Sequence, residues 1–61
     1  MEKLINKAMT QKVETLITAI RMLGGGNLSV DKTMARAAMF TALENKVGGD
    51  VVDRLFAELG M

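Results

Sequence analysis

Met9, Val13, Leu16, Ile20 and Leu23 recur at alternating steps of four and three residues, the spacing that lays one apolar stripe along an α-helix. A repeat of about 3.5 residues is the signature of helices that pair. The stripe stops at Gly24-Gly25-Gly26, so the pattern predicts a first helix over residues 2–23. Ile17 and Ala19 flank the stripe and widen it, which calls for more than one neighbouring helix. Leu4 and Ile5 cover the edge of the core. Asn6 falls where the repeat expects an apolar residue; it either sets register or belongs to a solvated helix start.

Beyond the glycines, Ser29 or Asp31 can cap a second helix over residues 30–46. Met34, Ala35, Ala38, Met39 and Ala42 project to one broad apolar face. Phe40, Leu43 and Val47 occupy a different sector, beside Lys32, Arg36 and Glu44. A helix apolar on two sectors is buried or shared between interfaces. Gly48-Gly49 break the chain again, and Asp50 can cap a short third helix over residues 51–59. Its inner face is Val52, Leu55, Phe56 and Leu59. The expected fold is one all-α domain over residues 1–61, with three helices per chain. The long first helix would project past the others, and a second copy would cover it, giving a homodimer or higher assembly. Met9, Val13, Leu16, Ile17, Ile20 and Leu23 form the expected dimer interface.

Composition supports that picture. Hydrophobic residues make up 49% of the 61, yet only Phe40 and Phe56 are aromatic, with six Met and no Pro. Such a chain favours helices over sheets. Small domains commonly need a disulfide, a metal or a partner to be stable. With neither Cys nor His present, partnership is the route left. A net charge of +1 predicts no strong non-specific attraction to nucleic acid or acidic membranes. No apolar run is long enough to span a bilayer, and no signal-peptide pattern opens the chain, so the expected location is cytoplasmic.

The residues offer little for catalysis: no His, Cys or Tyr, and a single Ser that serves as a cap. No catalytic, cofactor-binding or metal-binding residue is expected, and no cofactor. The glycine run lacks the Lys-Ser/Thr pair and preceding strand of a phosphate loop. A helix-turn-helix across Gly48-Gly49 would read DNA with a helix holding Arg54 against three acids from Asp50 onward. A nucleic-acid contact through Arg21, Lys32 and Arg36 is therefore possible but not favoured. Partner binding suits Arg36, Phe40, Leu43 and Val47 better, because aromatic residues and arginine are enriched at interface centres.

Residues 16–60 resemble the small enterobacterial AriR/YmgB group of biofilm and acid-resistance regulators, which includes two-component connector proteins. The likeness is carried by Ile17 to Leu23, the glycine break, Asn27-Leu28-Ser29, the Leu43-Glu44 helix end, and Val52, Leu55 and Leu59. The triple glycine and the very short leader depart from that pattern. The resemblance implies a short all-helical dimer that binds regulatory proteins in stress and biofilm responses. The expected function is a non-enzymatic bacterial regulator acting by protein–protein contact. The alternatives are a phage- or plasmid-type inhibitor of a host protein and a DNA-binding dimer.

Overall fold

The helix expected over residues 2–23 is two helices. The computed structural model describes residues 1–61 and contains α1 (Glu2–Met9), α2 (Val13–Leu23), α3 (Val30–Val47) and α4 (Gly49–Leu59), with no strand. Thr10 breaks the first helix. Its hydroxyl donates to the Lys7 carbonyl at 2.6 Å, while the Thr10 and Gln11 amides bond three residues back, to Lys7 and Ala8. Lys12 is then extended, at φ −71° and ψ 152°. No glycine or proline marks the break; its only sign is the polar run Thr10-Gln11-Lys12.

The reason is tertiary. A straight helix over those 22 positions would be about 33 Å long, against a longest molecular extent of 25 Å. Turning at Thr10 lets α1 and α2 both lie on α3. The expected projection, which is the reason for placing a second chain over the first helix, is thereby absent. Asn6 meets no seam, because α1 buries its own face through Ala8, with Leu4 and Ile5 half-buried.

The two-sector pattern of α3 has a similar explanation. This helix packs against α1, α2 and α4, so both sectors are used within one chain. Ala38 and Ala42 are buried on one side, and Phe40 and Leu43 on the other. Ser29 caps α3, its Oγ accepting the Lys32 amide at 3.4 Å. The last helix starts at Gly49, not at residue 51, and Gly48 rather than Asp50 is its N-cap. Gly48 permits this abrupt turn because its φ of 90° excludes most side chains. Asp50 sits instead in the first turn, where the helix dipole favours an anion.

All four helices feed one core cluster: Ala8, Leu16, Ile20, Phe40, Ala42, Leu43, Val52 and Leu55. Leu16, Ile20 and Leu43 are completely enclosed, each contributing about 1.5–3 kcal/mol of transfer free energy. No polar or charged side chain is buried. The accessible surface, 4145 Å², is close to the roughly 3,900 Å² that surface scaling gives a monomer of this mass. One chain therefore closes its own core.

Candidate protein-contact surface

Tertiary packing disperses the residues expected to act together. Of the anticipated interface, Leu16 and Ile20 are sealed beneath α3, whereas Val13, Ile17 and Leu23 are half-buried and Met9 is exposed. Phe40 is buried, its ring 4.6 Å from that of Phe56 in an edge-to-face pair with planes at 73°. Leu43 is also buried; only Val47 of that group is exposed.

The three cations of the expected nucleic-acid patch do not form a common surface. Arg21 Nε and Nη2 donate to the two Glu58 carboxylate oxygens at 2.7 and 2.9 Å, tying α2 to α4. This hydrogen bonding, reinforced by charge attraction, raises the pKa of Arg21. The hydrogen bonds from Arg21 hold Glu58 below its ordinary carboxyl range, opposed by desolvation and helped to a lesser degree by the charge attraction of Arg21. Both side chains are about half exposed, so solvent screens the pair. Sequence could not single out Glu58, which lies 37 positions from Arg21. Lys32 stands exposed in the first turn of α3.

Arg36 faces the glycine loop. Its Nη1 donates to the Gly24 carbonyl at 2.7 Å and the Gly26 carbonyl at 3.0 Å. Gly24 adopts φ 74° and ψ −177°, a backbone state reserved in practice for glycine. Gly25 lies so close to α4 that a Cβ there would meet the Leu59 backbone oxygen and side chain. The loop thus turns carbonyl oxygens toward a cation. That polarity is opposite to a phosphate cradle, which presents N–H groups.

Two recesses flank α3. Between α3 and α4, a cleft of 610 Å³ mixes Arg36, Glu44 and Asp53 with Phe40 and Phe56. Between α1, α2 and α3 lies a more apolar groove of 360 Å³. Ala8, Leu16, Ala19, Ala35, Ala38 and Met39 line it, with Lys7, Gln11 and Thr15 among its polar groups. Four of those apolar positions are alanine, so the backbone is close to the surface. Thr15 and Ala19 also border a shallow recess beside Met22, which is 83% exposed. Glu14 and Thr18 also line that recess, so the outer side of α2 next to the groove mixes polar groups with the exposed Met22.

No three acidic side chains converge to hold a metal ion, and no helix is long and apolar enough to cross a membrane. The fold defines the chain as a small all-helical bundle whose distinctive surface is an apolar groove. No protein family, curated protein or solved structure matches it.

Proposed function

We propose that this chain is a small non-enzymatic regulatory protein that acts by protein–protein contact, with the groove between α1, α2 and α3 as its docking surface. The observation carrying this reading is an open, alanine-lined apolar groove in a chain whose core is already closed. Alanine walls let another backbone approach closely, and Met39 and Met22 supply adaptable contact area. The resemblance to the AriR/YmgB regulators agrees in function class, and a cytoplasmic bacterial role is part of the same proposal. A phage- or plasmid-type inhibitor would use the same surface.

The test is capture from host lysate by the wild-type chain and by Ala19→Glu, with circular dichroism verifying that the variant folds. A protein retained by wild type and lost by the folded variant supports the reading. Equal retention by both refutes it.

A homodimer is the second reading, favoured by the exposure of Met22 beside the groove. A second copy would seat on the outer side of α2 rather than on Leu16 and Ile20. Sedimentation at micromolar concentration tests this directly: a 6.6 kDa species throughout would exclude it.

A further inference from the structure

We infer that the groove takes an acidic amphipathic helix of a partner protein. This inference rests on the protein-contact reading and specifies the chemistry of the contact. Lys7 is the sole charged residue lining the groove. Lys3 lies one turn earlier on α1, and Lys12 follows in the α1–α2 turn. Over residues 1–12, three lysines oppose only Glu2, a side-chain balance of +2. The α1 side is therefore cationic, while the rest of the lining is uncharged and mostly apolar. Ala8, Leu16 and Ala38 are buried, with Ala19, Met39 and Thr15 beside them; Glu14 borders only the adjoining recess on α2.

Shape narrows the occupant further. A volume of 360 Å³ lies near the lower end of the roughly 300–1,000 Å³ typical of small-molecule sites. Its polar lining groups, Lys7, Gln11 and Thr15, are all solvent-exposed, so none is held rigidly to orient a small ligand. Apolar anchors spaced at i, i+4 and i+7 on a helix would fill such a groove. Asp or Glu flanking those anchors would meet Lys7, and Lys3 in the next turn.

A second copy of this chain is a poorer occupant. Its acidic helix, α4, already buries Val52 and Leu55 against its own core and shows solvent Asp53, Arg54 and Glu58. A helix whose apolar face is already occupied cannot supply the anchors.

The experiment uses the whole chain, isotopically labelled, and two synthetic helices of about 15 residues. Both peptides carry leucine at i, i+4 and i+7; one is flanked by glutamates, the other by lysines. The acidic peptide is expected to shift the amide resonances of Lys7, Ala8, Thr15, Ala19, Ala35 and Met39. It should bind more tightly than the lysine peptide, and more weakly as salt rises. Lys7→Glu should weaken it about three- to tenfold, from loss of a rim ion pair and the new repulsion. The same variant should strengthen the lysine peptide.

Equal binding of both peptides in the groove overturns the acidic specification but leaves a protein contact there. Resonance shifts confined to the α3–α4 cleft, or none at all, overturn the inference. So does a wild-type dimer that Ala19→Glu dissociates, because the groove would then belong to a second copy. The lysate comparison with Ala19→Glu judges the broader reading separately.

Discussion

Replacing Arg36 by Met should cost this protein a large share of its stability. The variant keeps an aliphatic stem but loses both donors to the Gly24 and Gly26 carbonyls. A hydrogen bond from a charged donor contributes about 1.5–3 kcal/mol when buried. Here one bond is partly buried and the other exposed, so the pair together is worth about 2–3 kcal/mol. Those carbonyls lie just beyond the last turn of α2, and their loop also seats the end of α4 at Gly25. Loss of the clamp should therefore loosen two helices at once. Against a total of about 3–9 kcal/mol for a chain of this length, the loss is severe. It corresponds to a fall in Tm of about 10–20 °C. Thermal and urea unfolding followed by far-ultraviolet circular dichroism measure it. Arg36→Lys keeps the charge but not the planar fork, and should recover only part of the loss. If Arg36→Met unfolds within about 0.5 kcal/mol of wild type, the range of an ordinary surface change, the clamp reasoning fails. Arg36 would then be free to serve the partner contact expected from sequence.

Other consequences are equally direct. Gly25→Ala must push α4 away from the loop, because the obstructing atom is the Leu59 backbone oxygen. It should lower Tm markedly, whereas an unchanged Tm would show that the loop and α4 are not in close contact. Phe40→Ala removes a buried ring and its partner for Phe56, at a cost of about 3–5 kcal/mol. The variant should lose helicity at 25 °C rather than lose a binding activity alone, so a fully folded variant would contradict the core placement. The lowered pKa of Glu58 adds stability that is fully present above the unfolded glutamate value of about 4.3. That stability disappears as pH falls through the folded value. Wild type should therefore lose stability more steeply than Glu58→Gln on acidification below about pH 4; parallel pH profiles would show that the pair with Arg21 does not persist in solution. Leu16→Asp should unfold the chain as a monomer, and a folded monomer released from a dimer would restore the seam to an interface.

The helical class was legible in the chain because it depends on local quantities: residue propensity, glycine at the breaks and the spacing of apolar side chains. Ser29 as a cap, the glycine terminators and the apolar faces of α3 and α4 all follow from neighbours within a turn or two. The turn at Thr10 does not. An apolar stripe continues in register across it, and only the gain from folding α1 back onto α3 favours breaking the helix there. The same limit governs the candidate site. Arg21 and Arg36 read as free cations until the fold supplies Glu58 and the Gly24 and Gly26 carbonyls. The groove is likewise composed of residues from α1, α2 and α3 that no local pattern unites. Sequence determined which stretches coil and which faces avoid water. Tertiary structure decided what those faces meet, because burial partners and long-range ion pairs depend on distances that chain separation does not encode.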